Sequence, residues 1–319
     1  MTTAARVGVI GTGFGARVVA PVFEATDGCE VVDVVSARDA AGVAELCRRD
    51  LDLVSVHSPP FLHAEHVRAA VAAGHHVLCD KPFGVDAGEA ADMLELADAG
   101  EVVHAVNFEF RHQPARRRAY DLVRSGAIGP VEHVQWTYTG AVFRRPLRGY
   151  GWLFDRARGG GWVGAWGSHA VDSLRWLVGE VHGARARCRI TIPERPDRDG
   201  RPCRVDAEDA FTGWLDFESG ATALLDSSSS AAGTVAHRIV ITGSDGVVEI
   251  VADAKVVAKL ADGTRDEFVS DDAAPDPHLV PMRAWVEKVR DAVRDGEPLT
   301  PSFADGLACR RVLDRFVAG

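Results

Sequence analysis

The chain has 319 residues, of which 46% are apolar and 26% are charged, and its formal net charge is −10. At about 150 residues per domain, this length predicts two domains, each able to bury its own core. The acidic balance and the scattered basic residues argue against nucleic-acid binding, and no apolar run approaches the roughly 18 residues that a membrane span needs. Neither a nucleic acid nor a membrane is therefore an expected partner.

The first residues and the cysteines bear on the cellular compartment. The segment from Met1 to Arg6 lacks the apolar region of a secretory signal, which predicts a cytoplasmic protein. The cysteines stand apart, without a C-x-x-C spacing. Neither a disulfide framework nor a zinc site is expected from them, and we predict no metal.

Residues 5 to 110 alternate short β-branched runs with helical patterns, as in a parallel sheet whose strands are joined by helices. The predicted strands are Arg6 to Ile10, Glu30 to Ser36, Leu51 to His57, His76 to Cys79 and Val102 to Phe108. The predicted helices are Ala16 to Ala25, Ala40 to Cys47, His63 to Ala73 and Ala87 to Ala97. This pattern indicates an α/β domain with a doubly wound parallel sheet over residues 1–117.

After Pro114 the pattern changes, because a helix from Pro114 to Arg124 leads into segments with period-two alternation. The predicted strands are Val131 to Thr139, Arg185 to Thr191, Asp209 to Phe217, Ala221 to Ser227, His237 to Thr242, Val247 to Ile250 and Val256 to Leu260. The predicted helices are Met282 to Arg294 and Ala304 to Phe316, and Pro193 to Pro202 is predicted to be a mobile surface loop. We expect an α+β domain over residues 118–319, with a large, open, mainly antiparallel sheet.

The first predicted strand ends in Gly11-Thr12-Gly13-Phe14-Gly15-Ala16, directly before a helix. In a dinucleotide site this G-x-G-x-x-A pattern provides a tight turn at the first glycine and close backbone approach at the second. The phosphates then bind the amide groups at the helix N-terminus. Gly11, Gly13, Phe14 and Gly15 are therefore candidate cofactor-binding residues.

The second predicted strand ends in Ser36-Ala37-Arg38, with no acidic residue before Asp39. In NAD sites an acidic residue at this place holds the ribose 2′-hydroxyl. A hydroxyl and a guanidinium suit a 2′-phosphate better, because arginine offers a planar charged fork to phosphate oxygens. Ser36 and Arg38 therefore predict NADP, with NAD still possible. In the alternative, Arg38 only lies over the adenine.

Two further residues stand where catalytic groups are expected. Only four of the 36 basic residues are lysines, and Lys81 follows the fourth strand in Cys79-Asp80-Lys81-Pro82. That position lies at the carboxyl edge of the sheet, where open α/β sheets bind ligands and where a lysine can donate to a substrate oxygen. A glycine-rich run from Gly159 to Gly167 brings His169 to the start of an amphipathic helix. Each residue alone suits a structural role, but together they predict a catalytic pair.

With these segments the chain resembles the Gfo/Idh/MocA family, the group of glucose-fructose oxidoreductase and inositol dehydrogenase. The similar segments are Gly11 to Ala16, His57-Ser58-Pro59-Pro60 with His63, His76 to Pro82, Phe108 with Arg111 and Pro114, Ser125 to Gly129, and Gly159 to Asp172. The resemblance covers nearly the whole chain. It implies a Rossmann domain followed by a domain with an open sheet, which is often used for dimer or tetramer contacts. It also implies a nicotinamide cofactor and a sugar or cyclitol substrate.

The resemblance assigns roles to individual residues. Lys81 matches the family's catalytic lysine, which polarises the substrate oxygen, and His169 matches the catalytic histidine, which handles the hydroxyl proton. The residues expected on the cofactor side are Ser58, Pro59, His63, Asp80 and Lys81.

One departure from the family concerns the proton route. Many dehydrogenases of the family have an aspartate four residues before the histidine, whereas this chain has Ala165. Glu109 is the candidate replacement, because Asn107, Glu109 and Arg111 alternate along a predicted strand end and so point to one face. In the alternative, Glu109 only forms a salt bridge with Arg111 or another arginine.

A second departure lies between Ser36 and Leu51, where the family commonly has a longer helix and an extra strand. Only one helix fits here, so we expect a more open adenosine side and a sheet without that edge strand.

The candidate substrate contacts are Arg111, Trp152, Asp155 and Trp166. Tryptophan faces pack against the C–H surface of sugars, and arginine bonds hydroxyls or a carboxylate.

The favoured function is that of an NAD(P)-dependent dehydrogenase or reductase that acts on a secondary alcohol or ketone of a sugar, cyclitol or related polyol, as a homodimer or homotetramer. A second hypothesis is a lyase, hydrolase or epimerase that keeps its cofactor bound and oxidises the substrate transiently. The third is a non-enzymatic, cofactor-binding regulator, since fold alone does not determine function.

Overall fold

A computed structural model describes residues 4–271, 274 and 276–318. The chain divides into two compact units: the residues up to His112 with Ala274–Arg311, and Gln113–Ala273 with the residues from Val312 onward. The sequence suggested two consecutive segments, 1–117 and 118–319. In the structure, Ala274–Arg311 also belongs to the first unit, which the division into two consecutive segments did not include.

The first unit contains a sheet of five parallel strands with helices between them. The strands are β1 (Ala5–Ile10), β2 (Cys29–Val35), β3 (Leu53–Val56), β4 (His76–Cys79) and β5 (His104–Val106). A π turn over Gly15–Val19 continues into α1 (Ala20–Glu24), and α2 (Ala40–Cys47), α3 (His63–Ala72) and α4 (Ala87–Ala99) follow. The order β2-β1-β3-β4-β5 places β2 at an edge. The predicted parallel α/β sheet is confirmed, and α2 is the single helix expected between β2 and β3.

The second unit begins with α5 (Pro114–Arg124) and contains a large mixed sheet. The strands of this unit are β6 (Val131–Thr139), β7 (Val181–Arg189), β8 (Glu194–Pro196), β9 (Pro202–Arg204), β10 (Ala210–Phe217), β11 (Thr222–Ser228), β12 (Val235–Gly243), β13 (Gly246–Val251), β14 (Lys255–Leu260) and β15 (Arg265–Val269). The strands β8 and β9 pair only with each other and lie outside the large sheet. Between β6 and β7 lies α6 (Ser168–Val178). Eight strands pair in the order β15-β14-β13-β12-β6-β11-β10-β7, and only the pair of β6 and β11 is parallel. The predicted mainly antiparallel sheet is confirmed.

The chain continues into α7 (Leu279–Asp295) and α8 (Phe303–Ala318). One face of α7 carries a buried apolar stripe at helical spacing, formed by Met282, Trp285, Val286, Val289 and Val293. This stripe shares one hydrophobic core with Val7 and Val9 of β1 and with Phe23 of α1. Burial of this apolar surface holds α7 in the first unit. Over the described ranges, no helix is long and apolar enough to cross a membrane.

The prediction of a mobile surface loop over Pro193 to Pro202 was wrong in part, although residues 198–202 are exposed as expected. The segment forms a two-stranded hairpin of β8 and β9, and Arg195 within it is only 1% exposed. The Arg195 Nη1 donates to the carbonyl oxygens of Phe143 and Arg148, at 2.7 and 2.9 Å. Its guanidinium also lies 4.0 Å from the ring centroid of Phe154. A polar, proline-rich sequence gives no local sign that one arginine will be buried as an anchor.

A buried ion pair ties α5 to the turn between β13 and β14. The Arg116 Nε and Nη2 donate to the two carboxylate oxygens of Asp253 at 2.9 and 2.7 Å, and His237 Nε2 lies 3.2 Å from Asp253 Oδ2. Burial by itself would raise the pKa of Asp253, but the charge of Arg116 and the contact with His237 outweigh burial and hold that pKa below its usual range. Asp253 is therefore an ionised, paired carboxylate.

We predict that Asp253→Asn lowers the free energy of unfolding by about 3–5 kcal/mol, because it leaves the buried Arg116 without its charge partner. Urea unfolding at pH 7 measures this loss. The matched control is Asp266→Asn, which removes the half-exposed pair with Arg118 on the same helix and should cost about 1 kcal/mol or less. Equal losses in the two variants would contradict the prediction.

The same pair predicts the sign of a pH effect. The stabilisation by Asp253 should be fully present above the ordinary carboxyl pKa of 3.8 and should be lost as the pH falls below it towards the lower folded-state value. The difference in unfolding free energy between wild type and Asp253→Asn should therefore shrink on acidification. A difference that grew in acid would contradict this assignment.

Candidate active site

The loop after β1 has the geometry of a phosphate-binding turn. Gly11 has a φ of +133°, and a Cβ there would lie 2.5 Å from the carbonyl oxygen of His57. A Cβ at Gly15 would lie 3.0 Å from the Cβ of His57, whereas a Cβ at Gly13 would meet nothing within 4 Å. Gly11 and Gly15 are therefore required by packing against the end of β3. Gly13 faces open space, which fits a close approach of a phosphate group to the backbone.

We predict that Gly13→Ala leaves folding unchanged and weakens dinucleotide binding. The added methyl group meets no protein atom, so the melting temperature should be that of wild type, but overpacking against a bound phosphate should lower affinity by about 5- to 100-fold. Differential scanning fluorimetry and titration with NADH and NADPH measure the two effects. Gly151→Ala, which is also in open space, is the control. Wild-type affinity in Gly13→Ala would exclude this loop as the phosphate site.

At the end of β2, the structure separates the roles of the polar residues. Ser36 is half-buried and its Oγ accepts a hydrogen bond from the Arg38 backbone N at 3.3 Å, while the Arg38 side chain is exposed. Asp39, the first acidic residue after the strand, accepts a hydrogen bond from Gly42 N at 3.0 Å as the N-cap of α2. The Asp39 carboxylate is thus occupied in capping a helix.

Two buried imidazoles support the loop after β3. His63 is fully buried with its Nε2 2.8 Å from the carbonyl oxygen of Ser58, and His66 Nδ1 lies 3.0 Å from Ser58 Oγ. Burial lowers the pKa of His63 to about 4, so this histidine is neutral at physiological pH. Backbone pairing of His57 N with Ile10 O at 2.7 Å places the loop beside the end of β1. His63 therefore holds the turn of Ser58 and Pro59 in place from within the core.

The residue before Lys81 is the centre of a buried polar chain. The Asp80 Oδ1 accepts hydrogen bonds from Lys81 N at 2.9 Å and from Asn107 Nδ2 at 3.3 Å, while Oδ2 lies 3.3 Å from His57 Nδ1. The other ring nitrogen of His57 is 2.8 Å from Ser55 Oγ. Burial would raise the pKa of Asp80, but His57 and the Lys81 charge outweigh it and lower that pKa to about 2. Asp80 is ionised and fixes the backbone from which the half-buried Lys81 projects.

The expectation that Asn107, Glu109 and Arg111 alternate on one strand face was wrong. The strand β5 ends at Val106, and residues Glu109–His112 form a 3-10 turn, so the three side chains diverge. Asn107 donates to Asp80, whereas Arg111 donates to Thr300 Oγ1 at 3.2 Å and to Asp305 Oδ1 at 3.0 Å. The alternation rule fails because it holds only while the chain stays extended.

Glu109 pairs with a histidine rather than with the arginine considered from the sequence. It is 1% exposed, and its Oε1 lies 2.6 Å from Nδ1 of His278 at the start of α7. Burial would lower the pKa of His278, but the hydrogen bond and charge of Glu109 outweigh it and raise that pKa. His278 and His57 are the two site residues that the sequence analysis missed. The partners are 169 and 23 residues apart, so no local pattern could have revealed either pair.

The second unit places His169 as the second residue of α6, 5% exposed, directly after a π turn over Val163–Gly167. The loop before this turn wraps closely around a carboxylate, because a Cβ at Gly161 would lie 2.2 Å from Glu208 Oε1 and Val163 N donates to that oxygen at 3.0 Å. The predicted delivery of a histidine to a helix start by a glycine-rich loop is confirmed. Glycine is needed at position 161 for close approach and for its φ of +112°.

The predicted substrate contacts have distinct environments. The half-buried Trp166 belongs to an aromatic cluster, with its ring centroid 6.2 Å from that of Trp162 and 5.5 Å from that of Tyr138. Trp152 is half-buried at the start of a 3-10 turn, and Asp155 Oδ2 lies 3.5 Å from Arg158 Nε. Arg111 is 7% exposed, so it would have to leave its pair with Asp305 to contact a substrate.

The first unit thus brings together, through direct contacts, the glycine loop, the turn at Ser58, Asp80 with Lys81, and Glu109. His169 and Trp166 lie in the second unit. In the part of the chain that the structure describes, no group of three or more histidine, cysteine, aspartate or glutamate side chains could hold a metal ion.

Comparisons with known proteins match both units. A family model described as an oxidoreductase family with an NAD-binding Rossmann fold matches residues 5–108, and the GFO/IDH/MocA C-terminal domain model matches residues 116–249. The D-xylose 1-dehydrogenase (NADP(+)) 2 of Haloferax volcanii is 29% identical, over 96% of this chain and 94% of its own. The levoglucosan dehydrogenase of Pseudarthrobacter phenanthrenivorans is 27% identical, over 84% and 77%. A solved structure of levoglucosan dehydrogenase with NADH and levoglucosan shares the fold, with a TM-score of 0.86 at 24% identity over 99% and 97% of the two chains.

Proposed function

The chain belongs to the Gfo/Idh/MocA family of oxidoreductases, and on that premise we propose that it is an NAD(P)-dependent dehydrogenase or reductase. Its substrate is a sugar, cyclitol or related polyol, which reacts at a secondary alcohol or ketone. The names of the two relatives, a xylose and a levoglucosan dehydrogenase, support this substrate class.

One observation carries the proposal. The glycine loop and Lys81 follow β1 and β4 of one parallel sheet, so both lie at its carboxyl edge, where α/β sheets bind ligands. The open space at Gly13 fits a dinucleotide phosphate, and the buried Asp80 holds the backbone of Lys81. A bound nicotinamide cofactor would supply the redox chemistry, and the protein would orient the substrate and move its proton.

The proposed catalytic residues are Lys81, His169 and Glu109. The Lys81 ammonium donates to the reacting oxygen and polarises it, and His169 exchanges the hydroxyl proton. Glu109 replaces the carboxylate that the family commonly has at the position of Ala165. A role beyond shaping the wall of the site is supported by its second oxygen, Oε2, which is buried and has no hydrogen-bond partner among the described residues. Arg111, Trp152, Asp155 and Trp166 are proposed to contact the substrate.

For the cofactor we propose NADP in preference to NAD. Ser36 and the exposed Arg38 follow β2, and the Asp39 carboxylate caps α2, so a guanidinium rather than a carboxylate stands free to meet the ribose. Gly11, Gly13, Phe14, Gly15, Ser58, Pro59, His63 and Asp80 are proposed to form or support the rest of the cofactor site. We further propose a cytoplasmic homodimer or homotetramer, in line with the use of the open sheet that the family resemblance implies.

Reduced-nicotinamide absorbance, followed over a panel of aldoses, anhydrosugars and cyclitols with each cofactor, tests the function. We expect net reduction with at least one of these polyols and a lower KM for NADP than for NAD. A clear preference for NAD would refute the cofactor assignment. Cofactor binding without any turnover across the panel would instead support a regulator.

Because Ala165 stands where the family usually has an aspartate, we also consider a second function. A lyase, hydrolase or epimerase with a tightly bound cofactor would convert the substrate without net reduction. Chromatographic analysis of the products beside the absorbance measurement separates this outcome from a dehydrogenase. The Glu109 carboxylate would then serve the same proton step within a closed redox cycle.

We predict that Glu109→Gln lowers kcat by about 10²- to 10⁴-fold, because it removes a proton acceptor and keeps the side-chain volume. Steady-state kinetics across pH should also show a pH-rate profile that differs from that of wild type. Glu95→Gln, at a position on the surface helix α4, is the control. A pH-rate profile identical to that of wild type would contradict a proton-transfer role for Glu109.

A further inference from the structure

Glu109 and His278 form an acid–imidazole contact in the first unit to which the family resemblance assigns no role. Its two side chains come from the 3-10 turn that follows β5 and from the residue that precedes α7. The Glu109 side chain is 1% exposed, whereas that of His278 is 28% exposed. The pair therefore connects a buried carboxylate to the surface of the unit.

Aromatic packing places His278 against the glycine loop. Its ring centroid lies 5.0 Å from that of Phe14 in the loop and 5.0 Å from that of Phe110, next to Glu109. The backbone N of His278 donates to Asp276 Oδ1 at 2.9 Å, which fixes the start of α7. The imidazole is thus held on two sides and has little freedom to leave Glu109.

The charges around the imidazole come from three segments. Glu109 favours its protonated form, Lys81 is near enough for its positive charge to oppose that form, and Asp276 favours it. The charge of Lys81 thus acts on the His278 imidazole, which places the two side chains in one region of the first unit.

One oxygen of Glu109 remains available to a ligand. The Oε1 is bound to His278, while the buried Oε2 has no hydrogen-bond partner among the described residues. A buried carboxylate oxygen without a donor is costly, so a donor from a bound molecule or a water is expected there. A hydroxyl of the substrate supplies such a donor.

We propose that His278 is a positioning residue for the reaction, which holds Oε1 of Glu109 and so directs its Oε2 to a substrate hydroxyl. This inference rests on the proposed function and deepens it. Because the imidazole is bound to Oε1, only Oε2 of Glu109 is left to accept a hydrogen bond from the substrate. The same ring packs on Phe14, so it joins the acceptor to the glycine loop.

The first experiment needs neither cofactor nor substrate. Histidine ring signals followed by NMR across pH should show the pKa of His278 above the ordinary 6.5, as the contact with Glu109 requires. In Glu109→Gln that pKa should fall below 6.5, because burial and Lys81 then act without the carboxylate. An unchanged His278 titration in Glu109→Gln would overturn the coupling, whatever the enzyme's substrate proves to be.

The second experiment tests the positioning role through kinetics. His278→Gln keeps a hydrogen-bond donor but no charge, and should lower kcat about tenfold with little change in the KM for the polyol. Introduced into Glu109→Gln, the same change should have no further effect, because the residue acts through Glu109. Independent, multiplicative losses in the double variant would overturn the proposal.

A matched control separates this role from general stability. His104→Gln removes another histidine–carboxylate contact of the same unit, 3.0 Å from Asp98, at the other end of β5. It should leave kcat and the titration of His278 as in wild type. If both histidine variants lowered kcat equally, the effect would be structural and the proposal would fail. Absence of turnover in wild type would refute the proposed function but would leave the titration to decide the coupling.

Discussion

Burial of the apolar stripe of α7 against β1 and α1 is the constraint on which the candidate site depends. The stripe from Met282 to Val293 completes the core of the first unit, so the chain must return there after crossing the second unit. At about 25 cal/mol per Å² of apolar surface, burying residues as large as Trp285 outweighs the entropy lost in closing the long loop. The return also brings His278 to Glu109, so the same packing that stabilises the unit completes its polar site.

The first unit pairs each of its two buried site carboxylates with an imidazole. Two carboxylates, Asp80 and Glu109, lie buried near the place where an anionic cofactor would bind. Each is paired locally, Asp80 with His57 and Glu109 with His278, and Lys81 adds a further positive charge. Each of these carboxylates therefore has an imidazole partner within contact distance, although the formal net charge of the chain is −10. If the glycine loop binds dinucleotide phosphates as proposed, its backbone amides would do so without opposition from nearby unpaired acids.

The second unit uses buried ion pairs and aromatic packing to hold irregular segments. Arg195 anchors the β8–β9 hairpin, Arg116 ties α5 to Asp253, and Glu208 organises the loop that precedes His169. Loops lack regular strand pairing, so part of their backbone bonds to side chains, as Val163 N does to Glu208. Such partners make the position of the His169 turn depend on residues distant in sequence.

Local patterns in the sequence determined most helices and strands of both units, the glycine loop and the places of Lys81 and His169 after a strand and at a helix start, because helical and strand periodicities and turn residues act over a few residues. They predicted α2 over Ala40–Cys47 and β6 over Val131–Thr139 with the bounds observed. They did not predict the turn that ends the alternation after Val106, the burial of Arg195, or the partners of Asp80 and Glu109. Only the tertiary structure decided these features, because burial and pairing depend on which distant segments pack together, and an amphipathic helix such as α7 does not specify the sheet it covers.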